Sequence, residues 1–460
     1  MASLSKPGTP RFDVDVFQNE YLAQGSREVN AIVTVTATGG GTSGGRPLGA
    51  AAGTDAAVVL VIDCSGSMEH PNTKMRHARE ATAAAIDTLR DGVAFAVVAG
   101  THEAVDVFPG NGRLAVVDQY TRGHAKEALR RLKPSGGTAI GTWISKARQL
   151  FDSRPQASIR HAVLLTDGRN EHEKPADLQR ALDAATGAFT AGCRGVGTDW
   201  DVAELRKISS ALLGTVDIVA EPSGLAEAFR AMMADVMDKQ VADVALRVWT
   251  PANAQVKFVK QVAPAVEDLT ARRAAAGARE GGAARSASDK GGGGRRVGDY
   301  PTGSWGDESR DYHVCVEVPA AAVGNEMLAA RVSLVLPQPD GTAEVLGQGL
   351  VRAVWTDDLA SSTRINSQVA HYTGQAELAE SIRDGMEAHR AGDLDRATAK
   401  LGAAVRLAHA GGNEGTLKLL QKVVDVVDAR EGTVRFRKNV SEADSMTLET
   451  RSTKTVRVKK

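Results

Sequence analysis

Apolar residues recur along this chain with two different periods, and the period changes twice. Between about residue 55 and residue 238, continuous apolar runs alternate with stretches at helical spacing. Val58–Ile62 is apolar throughout, as a parallel strand buried on both faces must be. Met75, Ala78, Ala85, Ile86 and Leu89 then fall on one helical face. Val93–Val98 predicts a second strand, Ala104–Phe108 a third and Ala162–Leu165 a fourth. Gly195–Gly197 marks a short fifth strand and Val216–Val219 a sixth. Ile140, Trp143, Ile144, Ala147, Leu150 and Phe151 make an amphipathic helix, and Leu225, Phe229, Met232, Met233 and Val236 a closing one. Strand and helix in alternation imply an α/β unit, a doubly wound parallel sheet covered by helices.

The flanks carry period two instead. Phe12, Val14 and Val16 alternate with polar residues, as do Val29, Ala31, Val33 and Val35. The same alternation returns in Val244/Leu246/Val248, Val256/Phe258, Tyr312/Val314/Val316/Val318 and Val332/Leu334/Leu336. One polar face and one apolar face mean antiparallel, half-solvated strands. The N-terminal strands are too few to be stable alone. Both flanks are therefore expected to form one all-β sandwich with the α/β unit inserted into it. From about Ile365 to Val427 the period is helical again: Leu378, Ile382 and Met386, then Leu394 to Ala408, then Leu417 to Val427. Ala391-Gly392-Asp393-Leu394-x-x-Ala397 is similar to a tetratricopeptide turn, but a single unit predicts only a small helical bundle. Gly39–Gly45 and Ala271–Gly298 have the composition of flexible loops. The expected division is 1–51 N-terminal strands, 52–238 α/β domain, 239–358 sandwich with a loop at about 271–298, 363–430 helical bundle and 431–460 tail. The tail, basic and rich in Ser and Thr, is expected to be flexible. Ser452, Thr453 and Thr455, with Thr447 and Thr450, make it a candidate phosphorylated docking peptide.

Three loops concentrate oxygen donors. Asp63-Cys64-Ser65-Gly66-Ser67 follows the first strand, Gly136-Gly137-Thr138 stands before a helix, and Thr166-Asp167-Gly168 follows the fourth strand. Ligands bind at the carboxyl ends of such strands. Hydroxyls and carboxylates suit a hard cation, and Mg²⁺ takes about six oxygens in near-octahedral geometry. Cys64 is a soft thiol, a poor ligand for that ion, and should pack inward. Glu171-His172-Glu173 lacks the spacing of a zinc site and reads as the rim of the same cleft. Asp-x-Ser-x-Ser followed by a separate Thr and a separate Asp resembles the metal-ion-dependent adhesion site of the von Willebrand factor A family. The resemblance covers about residues 55–238. It implies Mg²⁺, with Mn²⁺ or Ca²⁺ as alternatives, on Asp63, Ser65, Ser67, Thr138 and Asp167. It further implies direct bonds from the two serines, carboxylates acting in part through water, and an open position filled by a partner's Asp or Glu.

Composition narrows the reading. Lys+Arg and Asp+Glu both number 56, so no net charge argues for nucleic acid. Three cysteines without CxxC spacing point to a reducing compartment. No apolar run has the length of a membrane span, and no secretory leader is evident. A cytoplasmic location is expected, and the chain looks most like bacterial cytoplasmic members of that family. Such members are associated with kinase, phosphatase, phosphopeptide-binding or ATPase systems. The expected role is a non-enzymatic, Mg²⁺-dependent scaffold or adaptor in bacterial signalling. The alternative is a substrate-recruiting subunit of an AAA+ ATPase or chelatase. A metal-dependent hydrolase is disfavoured because no general base is placed beside the loops.

Overall fold

The computed structural model describes residues 10–39, 56–71, 73–275, 296–338 and 342–457. Most of the two glycine-rich stretches, residues 40–45 and 276–295, lies outside the described residues. β1 (Arg11–Gln18), β2 (Tyr21–Ala23) and β3 (Glu28–Thr38) come first. The α/β unit then runs β4 (Ala56–Asp63), α1 (Thr73–Thr88), β5 (Ala94–Gly100), β6 (Ala104–Phe108), β7 (Ala115–Val116), α2 (Gln119–Arg130) and α3 (Ile140–Asp152). It continues with β8 (Ile159–Thr166), α4 (Pro175–Ala185), β9 (Thr190–Val196), α5 (Val202–Ala211), β10 (Val216–Val219) and α6 (Leu225–Met237).

The strand order is β10-β9-β8-β4-β5-β6, with β7 also on β5. β4 pairs in parallel with both β5 and β8, whereas β6 and β7 pair antiparallel with β5. The chain builds outward from β4 to β6, then crosses back to start β8 on the other side. The order therefore reverses at β4, and the carboxyl ends of β4 and β8 lie side by side at the switch point. Apolar side chains from alternate positions of β4 serve two cores. Val59 and Val61 face α3, α4 and α5, and Val58, Leu60 and Ile62 face α1, α2 and α6.

β11 (Val241–Trp249) follows α6 and begins the return to the sandwich, with β12 (Gln255–Ala263), β13 (Glu267–Asp268), β14 (Ala274–Ala275), β15 (Val297–Trp305), β16 (Glu308–Glu317), β17 (Glu326–Pro337) and β18 (Ala343–Thr356). One sheet is β1-β3-β16-β12-β13 and the other β14-β15-β11-β17-β18-β2. β3 pairs antiparallel with β16 from Glu28↔Glu317 to Ala37↔Glu308, so strands from both ends of the α/β insertion share one sheet. Their inner faces enclose Val29, Val33, Val35, Leu246, Tyr312, Val332 and Trp355.

The C-terminal part holds α7 (Leu359–Ser362), α8 (Ser367–Arg390), α9 (Leu394–Ala410), α10 (Glu414–Val423), β19 (Val424–Asp428), β20 (Thr433–Phe436) and α11 (Glu442–Arg451). Two expectations are corrected here. The third helix stops at Val423, because Val424 pairs with Phe436 in a hairpin. The segment read as a flexible tail is folded as far as the described residues extend. Met446 enters the core beneath α5, and Arg451 and Lys454 each reach Asp217 at 2.9 Å. Thr455 donates to the Val262 carbonyl at 2.7 Å, and Arg457 grips Asp311 at 2.8 and 3.0 Å. Thr450 and Ser452 are buried, so neither a solvated tail nor an open docking peptide describes this segment. The basic residues looked solvated in sequence because their acidic partners lie on distant elements.

Candidate metal centre

β4 ends on Asp63 and β8 on Thr166, two strands in parallel register, which brings Asp63 beside the Thr166-Asp167-Gly168 loop. Both oxygens of Asp63 are engaged. Oδ1 accepts from the Ser65 backbone N–H at 2.8 Å, and Oδ2 from the Thr166 hydroxyl at 2.6 Å. The carboxylate is fully buried, and burial pushes its pKa up to about 6 against the opposing hydrogen bonds. Ser65 Oγ and Ser67 Oγ are 2.9 Å apart, and Ser67 Oγ donates to Asp167 Oδ1 at 2.6 Å.

Backbone bonds lock the loops together. The Gly66 N–H donates to the Gly136 carbonyl at 2.9 Å, Ser135 N–H to Cys64 at 2.7 Å, and His172 N–H to Thr138 at 3.0 Å. Gly136 has φ +72°, a left-handed turn that favours glycine. Cys64 packs inward with Met68 and Met75, and burial raises its thiol pKa to about 12.

Ser65, Ser67 and Thr138 line one cleft of about 400 Å³ together with Gly168, Arg169, Glu171, His172, Asp199 and Glu442, and the two expected carboxylates lie buried beneath it, Asp167 bonded to Ser67 and Asp63 to Ser65 and Thr166. His172 Nδ1 accepts from the Thr138 N–H at 3.1 Å and so positions that loop. Glu173 turns away, accepting from the Gly141 N–H at the start of α3 and from Asn170. Of the acidic-histidine rim, Glu171 and His172 face the cleft and Glu173 does not line it.

Lys74, buried behind the cleft, and Glu442, on its rim, belong to no motif in the sequence. Lys74, on the first turn of α1, donates to Asp167 Oδ2 at 2.6 Å and to Asp199 at 3.4 Å. Its burial works against the charge, but the bond and attraction of Asp167 and Asp199 prevail and raise its pKa. A lone Lys on an otherwise Ala-rich buried helix face was the available clue. Glu442 comes from α11; Ser441-x-x-Asp444, a capping pattern ahead of Met446 and Leu448, could have revealed that helix.

The donor set fits a hard divalent ion. It is all oxygen, it includes two buried carboxylates, and the Thr138 hydroxyl makes no hydrogen bond among the described residues. A methyl group on Gly168 would lie 3.1 Å from Ser67 Oγ and 3.7 Å from Thr138 Oγ1, so the lack of a side chain there lets the third loop approach both hydroxyls. Among the described residues no cluster of three or more His, Cys, Asp or Glu forms a softer site.

Comparison with known proteins places the fold. A family model for the von Willebrand factor type A domain matches residues 56–218, and one for the von Willebrand factor type A C-terminal domain matches residues 406–452. The structure of a von Willebrand factor type A protein from Catenulispora acidiphila is 50% identical, covers 100% of this chain and 99% of its own, and superposes with a TM-score of 0.88. The chain belongs to the von Willebrand factor type A family. VWA2 of Sulfolobus acidocaldarius, an ArnB paralog, shares the fold at 13% identity, with 95% and 97% of the two chains covered and a TM-score of 0.58. A curated Synechocystis relative, itself uncharacterized, is 29% identical over 220 residues, which is 46% of this chain; the chain spans about half, 49%, of that relative. Domains of the von Willebrand factor type A family generally mediate protein–protein interactions. No helix among the described residues is long and apolar enough to cross a membrane.

Proposed function

We propose that this von Willebrand factor type A protein is a non-enzymatic, Mg²⁺-dependent interaction module whose partner presents an Asp or Glu side chain to the cleft. The observation that carries this reading is the convergence of the Ser65, Ser67 and Thr138 hydroxyls with the Asp63 and Asp167 carboxylates at the switch point. The ion, when bound, supplies an electrophilic centre for an incoming carboxylate. Ser65, Ser67 and Thr138 would hold it with neutral oxygens. Asp63, fixed by Ser65 and Thr166, would orient the first loop and balance charge. Asp167 would do the same for the third. A cytoplasmic scaffold or adaptor in bacterial signalling is the setting that best suits such a module.

Asp63→Asn tests the site. The substitution keeps an oxygen for the Ser65 N–H and removes one of two charges. Calorimetry should show Mg²⁺ affinity falling by about tenfold or more, the scale seen when groups that support a metal are removed. Capture of partner proteins should be chelator-sensitive for the natural chain and absent for the variant. Unchanged Mg²⁺ affinity in Asp63→Asn sinks the assignment.

A further inference from the structure

We infer that Glu442 is an internal ligand of this metal centre, its carboxylate taking the position that a partner's Asp or Glu would otherwise fill. The inference rests on the metal-site reading above. Glu442 lines the same cleft as Ser65, Ser67 and Thr138, although it lies more than 270 residues along the chain from the last of the three loops. It is the first residue of α11, exposed, and its side chain forms no hydrogen bond or ion pair among the described residues. The other acids of this helix are committed elsewhere. Asp444 accepts from Lys422 and Ser441, and Glu449 from Arg390. A first-turn carboxylate is also favoured by the helix dipole, so its place there is stable before any metal arrives.

The helix is held so that this end meets the cleft. Its distal part is pinned by Arg451 on Asp217, at 2.9 Å, and by Arg206 donating to the Glu449 carbonyl at 2.5 Å. Ten residues of helix span about 15 Å. That length carries the chain from the start of β10 toward the carboxyl ends of the strands, where the cleft opens. Of the other acids at the rim, Asp199 pairs with Lys74, and Glu171 belongs to the same loop as Asp167. Glu442 alone among them comes from outside the α/β unit, as an external ligand would. A carboxylate tethered this way acts at an effective concentration of roughly millimolar, so it closes the site to weak acidic ligands. A partner must displace it, and the C-terminal domain thereby sets which partners succeed.

Mn²⁺ binding to the full chain tests this, with affinity from calorimetry and the number of exchanging waters on the ion from water-proton relaxation. Glu442→Gln, at an exposed position, should melt as the natural chain does. It should weaken Mn²⁺ by about tenfold, a single ligand's worth of binding. It should also raise relaxation per bound ion, and bind a short Asp-containing peptide more tightly at saturating Mn²⁺. Glu387→Gln, at an exposed acid of α8 that does not line the cleft, should change none of these. If Glu442→Gln keeps the natural affinity and hydration while Asp63→Asn loses Mn²⁺, the internal ligand is wrong and the metal site stands. If Glu387→Gln produces the same changes, they reflect the lost charge alone and Glu442 is likewise excluded. Failure of the natural chain to bind Mn²⁺ overturns both.

Discussion

Gly168 and Lys74 decide how the cleft treats a cation, and each can be changed without touching the expected ligands. The Gly168 backbone is in a region open to any residue, since its φ is not among the positive values. Gly168→Ala would place a methyl 3.1 Å from Ser67 Oγ and 3.7 Å from Thr138 Oγ1, crowding both hydroxyls. The expected outcome is loss of Mg²⁺ binding by calorimetry with a melting temperature close to that of the natural chain. Retained Mg²⁺ binding would mean the ion sits elsewhere. Lys74 presents the opposite case, a cation already facing Asp167 with both groups nearly buried. Lys74→Met leaves that carboxylate without its partner, and breaking a buried pair costs about 3–5 kcal/mol. Denaturant titration should therefore show Lys74→Met destabilised by about that amount without metal, and Mg²⁺ should restore more stability to it than to the natural chain. The five expected residues stood out in the sequence because Asp63 closes β4, Ser65 and Ser67 follow it in the same loop, Asp167 follows β8 and Thr138 follows a glycine pair. Lys74 and Glu442 did not, because their role depends on which elements the fold lays side by side.

The elements divide along the same line. β4 and β5 could be read directly, since continuous apolar runs such as Val58–Ile62 have one meaning in a parallel sheet. α5 is harder to read, for its large apolar residues are only Val202, Leu205 and Ile208 among polar residues and alanines. α11 escaped because half of what it buries is polar, with Glu449 and Thr450 beside Met446 and Leu448. Its stability comes from docking rather than from an apolar stripe. Removing residues 441–460 should then act on three neighbours at once. The α5 face loses Met446, Asp217 loses both its cations, and buried Asp311 loses Arg457, keeping only Thr34 and Tyr372 as side-chain donors. The shortened chain is expected to fold with a clearly lower melting temperature. Hydrogen exchange should rise at β10, α5 and around Asp311, while the helices α1 and α3 stay protected. Uniform protection with unchanged melting would mean these contacts hold nothing together.

For the whole molecule, the question is whether the sandwich can exist without the strands that precede the insertion. β3 lies inside its sheet, bonded to β1 on one side and β16 on the other, so it is no edge. It buries Val29, Ala31, Val33, Val35 and Ala37 against the opposite sheet. A fully buried Val contributes about 1.5–3 kcal/mol, and three of them rival the 5–15 kcal/mol that stabilises a typical domain. Deleting residues 1–50 would also uncover the bonding edge of β16 over Glu308–Glu317. The α/β unit is different, because its sheet has a core on each face, built almost wholly from its own helices. Only Met446 reaches the first of these cores from outside. Two fragments should therefore behave in opposite ways. A chain of residues 51–460 is expected to aggregate on size-exclusion chromatography and to lose near-ultraviolet dichroism from Trp305 and Trp355, which are buried in the sandwich. A chain of residues 56–237 should remain monomeric, melt at a lower temperature than the intact protein and still bind Mg²⁺, since all five expected ligands lie within it. A monomeric 51–460 chain with unchanged melting would show that the first strands are dispensable, and that the two flanks do not fold as one sandwich.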